Sequence, residues 1–330
     1  MASDGQIFVV LATWNGAEYV AEQIESVLRQ SVKEWTLLVR DDGSCDGTAD
    51  IVCQYCEQDG RIEWLGDESG RLGPDGNFER LLKTALRRGA AYVLVSDQDD
   101  VWHPEKLAEQ LRLMRQIEAD AGRDSPSLVY SDLEVTDADL GVIHCSFNEH
   151  ASPPHGEVQF LTALLQRNYI PGCSMLINRP LLELALPMPD IGIIYDHWLA
   201  LCAAAAGSMQ CVPQPLLKYR RHSGNVTPTG TSTSTPAHQI RRLVRGEHLS
   251  DKTLKRLQTH VNAARELLKR VSWKDGGFRQ PVLEEYSSLF EPGVSAFRRV
   301  NGLRRLGLPF NRSQAGRLVY YLQMMHLESG

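Results

Sequence analysis

Apolar residues follow two different periods in the first 130 positions, and the two alternate along the chain. QIFVVLA (6–12) is an unbroken apolar run of strand length, suited to a strand buried on both faces. From Glu18 to Gln30 the period changes, with Val20, Ile24, Val27 and Leu28 at helical spacing. WTLLV (35–39) predicts a second strand, 48–58 a helix and 61–65 a short strand. A Gly-rich loop then leads to a helix over 77–88 and to a fourth strand, AYVLVS (91–96). Pro104 suits a first helical turn and opens a helix running to about Glu118, and SLVYS (127–131) predicts a further strand. Strands alternating with helices of this length define an α/β fold with a mostly parallel sheet and right-handed crossovers. No apolar run approaches the roughly 20 residues of a membrane span. The N-terminal MASDGQIFVVLATW lacks a basic segment and reads as a strand entry, not as a secretory signal.

In such sheets ligands bind beyond the carboxyl ends of the strands. The residues there are Thr13, Trp14 and Asn15; Asp41 and Asp42; and Asp97, Asp99 and Asp100. Crowded carboxylates repel one another unless a positive group joins them. A divalent cation with a taste for oxygen ligands, Mg2+ or Mn2+, does this while bridging to a diphosphate. The alternative for DQDD (97–100) is a solvated turn, with Asp100 capping the helix that follows. RDDGSCDGT (40–48) has glycines for tight turns and offers Asp46 or Thr48 as a helix cap. Asp41 can accept a hydrogen bond from a pyrimidine N3–H, or serve a structural Asx turn. No GxxxxGK[ST], no GxGxxG after the first strand and no GxSxG is present, which disfavours P-loop NTPases, dehydrogenases and serine hydrolases.

The 330 residues are 42% hydrophobic and 23% charged, ordinary for a globular protein and incompatible with collagen-like or wholly disordered classes. Seven scattered cysteines point to a reducing compartment, and the lone CxxC, Cys53 and Cys56, reads as two packed thiols. Charge divides the chain. Residues 1–236 carry 18 Lys and Arg against 33 Asp and Glu, whereas residues 237–330 carry 17 against 8. The junction TPTGTSTSTP (227–236) has no apolar residue and reads as a linker or loop. The expected organisation is therefore a domain over 1–226, a linker over 227–236 and a basic, mainly helical region over 237–330. That last region shows helical periodicity over 238–272, from Ile240 and Leu243 to Leu267, with FRRVNGLRRLGL (297–308) and RLVYYLQMMHL (317–327) beyond it. It reads as a helical cap or a dimer interface, or as a peripheral contact with an anionic membrane. Nucleic acid is disfavoured by the acidic first part and by the lack of a recognition motif.

VVLATWNGAEYVAEQIESVLRQS, WTLLVRDDGSCDGT and YVLVSDQDDVWHPEKL together resemble the family 2 glycosyltransferases of GT-A fold, over roughly 6–225. The spellings are most similar to the bacterial rhamnosyltransferases of O-antigen and cell-wall polysaccharide synthesis. NYIPGCSMLINR (168–179), YDHWLAL (195–201) and YRRHSGN (219–225) follow in the family's order. The resemblance implies inverting transfer from a nucleoside-diphosphate sugar, dTDP-L-rhamnose first, onto a saccharide or lipid-linked saccharide. It implies that Thr13 and Asp41 contact the base and Asp97 the ribose. Asn15, Asp42, Asn77 and Arg221 complete the donor site, Asp99 and His222 hold the metal, and Asp196 is the catalytic base. Trp198 is the candidate for stacking on a sugar, although His197 stands where this branch often has a first aromatic residue.

Inverting transfer needs a carboxylate on the sugar face opposite the leaving group to take the acceptor proton. Ile193, Ile194, Tyr195 and Trp198 would desolvate Asp196 and raise its basicity. The alternative for Asp196 is the N-cap of a helix over 198–206. His222 lies in a cationic loop, where Arg220 or Arg221 can clamp phosphate. His103 reads as a helix-entry residue. The expectation is a cytoplasmic, metal-dependent transferase. Its rivals are a UDP-sugar hexosyl or N-acetylhexosaminyl transferase and, from another class, a non-catalytic nucleotide-sugar-binding subunit.

Overall fold

The computed structural model of the chain describes residues 5–66, 69–151, 157–222, 251–273, 279–309, 314–325 and 327. These fall into two compact units. One takes the described residues up to 151, with 169–188 and 194–222; the other takes 157–168, 189–193 and the described residues from 251 onward. The predicted linker at 227–236 and the first turns of the helix predicted from 238 lie outside the described residues.

In the first unit the chain alternates as its apolar periods dictate. β1 (Gln6–Thr13), α1 (Val20–Leu28), β2 (Thr36–Asp41), α2 (Thr48–Gln58) and β3 (Ile62–Trp64) lead to α3 (Gly73–Arg87) and β4 (Ala90–Ser96). β1 pairs parallel with β2 and β4, and β2 with β3. Val9, Leu11, Leu37, Val39 and Leu94 are completely buried, because helices cover both faces of these strands. Each such side chain contributes about 1.5–3 kcal/mol of hydrophobic burial.

The rest of the unit departs from simple alternation. β5 (Val101–Trp102), α4 (Lys106–Ala121), β6 (Ser127–Thr136), β7 (Val142–His144) and α5 (Phe147–Ala151) are followed by a 3-10 turn at Gly172–Ser174. Then come β8 (Met175–Asn178), α7 (Arg179–Ala185), α8 (Tyr195–Ala206) and β9 (Ser208–Arg220); α6 (Glu157–Leu164) lies in the second unit. The strand order is β3-β2-β1-β4-β8-β6-β9-β5, with β7 on β6. β8 runs antiparallel to both β4 and β6, so the parallel character expected throughout holds for β3-β2-β1-β4 and the whole sheet is mixed. β9 pairs parallel with β6 through register shifts around Asp132, where Pro213 and Pro215 cannot donate to the ladder.

Helix starts differ from expectation in three places; α4 begins at Lys106, with Pro104 in the turn just ahead of it and Glu105 at its N-cap. α3 begins at Gly73, ahead of Asn77, because Pro74 fits its first turn and Asp42 accepts the Leu72 and Gly73 N–H groups (2.6 and 2.8 Å). α8 begins at Tyr195, ahead of Trp198, which places Asp196 inside its first turn and not at its N-cap.

The second unit is helical in its described residues. Besides α6 it contains α9 (Asp251–Arg270), α10 (Arg279–Ser288), α11 (Ala296–Arg305) and α12 (Gln314–Met325). Val261, Ala264 and Leu267 form the buried stripe of α9, whereas Leu254 at its start is exposed. Arg299 of α11 is buried and donates to the carbonyls of Leu289, Val294, Met324 and Leu327. No described helix is long and apolar enough to cross a membrane.

Candidate active site

The ends of β1, β2 and β4 lie side by side, and the polar residues after them are laced together. Asp41 closes β2. Its Oδ1 accepts from Thr13 Oγ1 (2.8 Å) and Ser44 Oγ (2.5 Å), and its Oδ2 from the Gly43 and Ser44 N–H groups. Asn15, at φ 47°, accepts from Cys45 N–H and donates its own N–H to Ser44 Oγ. Asp46 accepts from Ala17 N–H, Thr48 N–H and Thr48 Oγ1. Burial pushes the Asp46 carboxyl up, but these hydrogen bonds outweigh it and hold it below the usual carboxylate range.

Neighbouring residues in a strand point to opposite faces, and Asp42 does turn away from Asp41. It is 3% exposed, paired with the buried Arg40 (3.0 Å) and committed to the start of α3. Asn77 is buried too, accepting from Arg40 and donating to the Arg40 and Thr13 carbonyls. The donor-binding roles expected of Asp42 and Asn77 are thus replaced by structural ones: they hold the strand ends from behind.

DQDD follows β4. Asp97 is pushed up to about 7 by burial first, then by the charge of Asp99 and that of Asp196. Asp196, far along the chain at the start of α8, is therefore near enough for its charge to act on the acidic loop. Gln98 exchanges two hydrogen bonds with the Trp14 backbone (2.8 and 3.0 Å), and a Cβ on Gly16 would collide with its amide. Asp100 does not cap α4; it is fully buried and its Oδ1 accepts the Arg220 N–H. Its other oxygen has no hydrogen-bond partner among the described residues. Burial and the charges of Asp99 and Asp97 hold the Asp100 carboxyl well above its ordinary range.

Asp99 Oδ2 lies 2.8 Å from His222 Nε2. The two atoms are hydrogen-bonded to each other; a carboxylate and an imidazole held side by side are donor types that Mn2+ accepts. Asp97, Asp100 and Cys173 form a second cluster, with one ligand atom from each within 4.8 Å of the others. Burial keeps the Cys173 thiol protonated, and a thiol is a poor ligand for a hard cation, so this set fits less well.

Arg220 is the hub of the loop. It donates to the Asp99 and Ala138 carbonyls, pairs with Glu22 and lies over the Tyr19 ring, which in turn meets the His222 ring at 4.8 Å. Those bonds occupy the guanidinium within the fold. Arg221 is half-buried, its N–H given to the Thr136 carbonyl. His103 enters α4 as expected, its Nδ1 accepting the Glu105 N–H. Trp198 offers no face to a ligand: it is fully buried and its Nε1 donates to the Ala185 carbonyl. The stacking role is therefore replaced by packing.

Arg40, Arg220 and Lys106 were not singled out as structural residues by the sequence. Lys106 is completely buried, bonded to Gln110 and set over the Trp102 ring. Burial pulls it down to about 7, against the raising effect of Cys173 and Asp100. Its signal was available: Lys106, Gln110, Met114 and Ile117 share one helical stripe, and two of the four are polar.

Residues 8–181 match the family described as "Glycosyl transferase family 2". The chain belongs to that family, and its fold is of the GT-A type. It is 34% identical over 110 residues to "Putative teichuronic acid biosynthesis glycosyltransferase TuaG" of Bacillus subtilis, covering 33% of this chain and 41% of that one. It is 30% identical over 132 residues to the Escherichia coli "UDP-Glc:alpha-D-GlcNAc-diphosphoundecaprenol beta-1,3-glucosyltransferase WfgD", covering 40% and 47%. It is 31% identical over 98 residues to "dTDP-rhamnosyl transferase RfbG" of Shigella flexneri, covering 29% and 34%. The chain thus spans less than two thirds of the length of these relatives. Among solved structures, S. aureus TarS 1-349 in complex with UDP superposes with a TM-score of 0.54 at 15% identity, covering 97% of this chain and 88% of that one.

Proposed function

We propose that the protein is an inverting, divalent-metal-dependent glycosyltransferase of bacterial surface-polysaccharide synthesis. Its donor is a nucleoside-diphosphate sugar, with dTDP-L-rhamnose as first choice, and its acceptor a saccharide or lipid-linked saccharide. The observation that carries this reading is the row of polar strand ends, where Asp41 holds Thr13 at 2.8 Å and Asp99 lies 2.8 Å from His222, with Asp196 near enough for its charge to raise Asp97. Family membership and the naming of TuaG, WfgD and RfbG support the substrate class. A UDP-sugar donor is the second reading, favoured by the name of WfgD.

In this mechanism Asp41 meets the pyrimidine, with the buried Thr13 bonded to it from behind and Asn15 holding the loop beneath it. Asp97 takes a ribose hydroxyl. Asp99 and His222 would hold the ion, which supplies positive charge to the leaving diphosphate, and Arg221 adds a cation. Asp196 accepts the proton of the acceptor hydroxyl as that oxygen attacks the anomeric carbon. The protein works on the cytoplasmic side of the membrane. A peripheral lipid contact is supported by α11, which leaves Phe297 79% exposed beside the exposed Arg298 and Arg304.

The test is nucleoside diphosphate release from dTDP-L-rhamnose, UDP-glucose and UDP-N-acetylglucosamine with Mn2+, across a panel of saccharide acceptors. Asp196→Asn should lower transfer by about 10²–10⁴-fold while calorimetric affinity for dTDP or UDP stays the same. Wild-type turnover in that variant would end the base assignment. A wild-type protein that binds nucleotide but turns over no donor would be the non-catalytic subunit instead.

A further inference from the structure

The N-cap position that the sequence offered to Asp196 is held by Ile194, which brings no side-chain cap, so the first N–H of α8 is met from elsewhere. Asp75, in the first turn of α3, accepts the Tyr195 N–H at 2.9 Å, and Tyr195 is the first residue of α8. Four residues further on, Glu79 accepts the Met188 N–H at 2.8 Å. Between them Phe78 stacks on the Tyr195 ring, with centroids 4.1 Å apart and planes inclined by 27°. Asp75, Phe78 and Glu79 stand at i, i+3 and i+4, so they form one face of one helix.

Asn77, Leu81, Leu82 and Ala85 of the same helix are buried, and α3 packs on β1, β2 and β4. Asn77 bonds the Thr13 and Arg40 carbonyls at the ends of β1 and β2. One face of α3 therefore grips the strand ends that present Thr13 and Asp41. Another face grips the backbone that enters α8. Tyr195 cannot shift freely, because its hydroxyl end fills the space a Cβ on Gly172 would need. Asp196 comes next in the chain, with one N–H anchored just before it.

We infer that Asp75 is a positioning residue for Asp196: by holding the Tyr195 N–H it sets where the proposed base stands relative to the nucleotide side of the site. This rests on the proposed role of Asp196. Asp75 acts through geometry and touches no reacting atom. Asp75 is exposed to solvent as a residue, yet desolvation of its carboxyl against the fold pushes it up, with the Tyr195 hydrogen bond lowering it in part. An amide oxygen at this position would accept the same N–H.

The test compares Asp75→Ala with Asp75→Asn in the full chain. Displacing a catalytic group by about 1 Å can cost about 100-fold in rate, so Asp75→Ala should lower kcat at least about tenfold, with KM for the donor and calorimetric Kd for UDP and dTDP within about twofold. Asp75→Asn should restore most of that kcat. Amide exchange of the segment 188–198, read by mass spectrometry without any donor, should quicken about tenfold in Asp75→Ala, as one net hydrogen bond is lost, and much less in Asp75→Asn. Wild-type kcat and exchange in Asp75→Ala would overturn the inference. So would equal impairment of the Ala and Asn variants, or a parallel loss of nucleotide affinity, which marks general damage to the fold. Asp196→Asn separates the two claims. If it turns over like wild type, the base assignment fails; if it is inactive while Asp75→Ala is not, the positioning role alone fails.

Discussion

The strand-rich unit and the helical unit each bury an arginine, Arg220 and Arg299, both to 3% exposure. Arg220 meets charge and chemistry: the Asp99 carbonyl, the Asp100 carboxylate through its N–H, Glu22 and the Tyr19 ring. Arg299 donates to backbone carbonyls, including those of Met324 and Leu327 near the end of α12. A guanidinium can thus be buried to fix the charge layout of a site, or to satisfy carbonyls that a helix end leaves unpaired. The two uses should respond differently to the same substitution.

The largest contrast is expected in turnover. Arg220→Met should lower transfer about 100-fold or more, because the Asp99 loop loses its anchor. Arg299→Met should leave turnover per folded molecule within about twofold. Equal losses in the two variants would break the comparison. In urea denaturation the order should reverse for the helical unit. Arg299→Met leaves several buried carbonyls unpaired and should cost about 2–4 kcal/mol. An unchanged midpoint would show that water reaches those carbonyls.

Why one arginine reads as functional and the other as structural was only partly legible in the sequence. The β1–β4 half was legible because its strands are unbroken apolar runs and its helices keep strict spacing; so were DQDD and the loop after β2. β8 and β9 were not. β8 is only four residues long, three of them apolar, and β9 contains two prolines, so neither carries a period of its own. Asp42, Asn77 and Trp198 looked like ligand contacts because residue type shows a capacity to bond and not a direction. The fold turned the first two toward Arg40 and the third toward the Ala185 carbonyl. Asp75 was invisible for a related reason: its partner is a backbone N–H 120 residues away, and backbone groups leave no trace in composition.

Two smaller effects sharpen the contrast between buried and exposed cations. Lys106 is pulled down to about 7, whereas in the unfolded chain it keeps its ordinary 10.5. Between those values the unfolded state binds more protons, so this lysine makes stability rise with pH, by up to about 1.4 kcal/mol per unit. The burden it places on the fold is full below pH 7 and lifts as pH climbs toward 10.5. Lys106→Met should lose that rise, so the difference between the two stability curves should change with pH between about 7 and 10.5; parallel curves would mean that Asp100 keeps the ammonium charged. On the exposed side, Phe297→Ser should weaken co-sedimentation with vesicles of one third phosphatidylglycerol by a few-fold, as an interfacial aromatic side chain is lost. No change would leave α11 a solvated face.

Gln98, the middle letter of the acidic triplet, has a consequence of its own. Its side-chain amide imitates a peptide group, giving and taking one hydrogen bond each with Trp14. The rungs between β1 and β4 thereby continue one step past the point where the strands themselves part. Gly16 leaves the gap in which that rung fits. The loop that carries Asp97 and Asp99 is therefore fastened to the end of β1 by the protein's own bonds, with no ligand needed to assemble it.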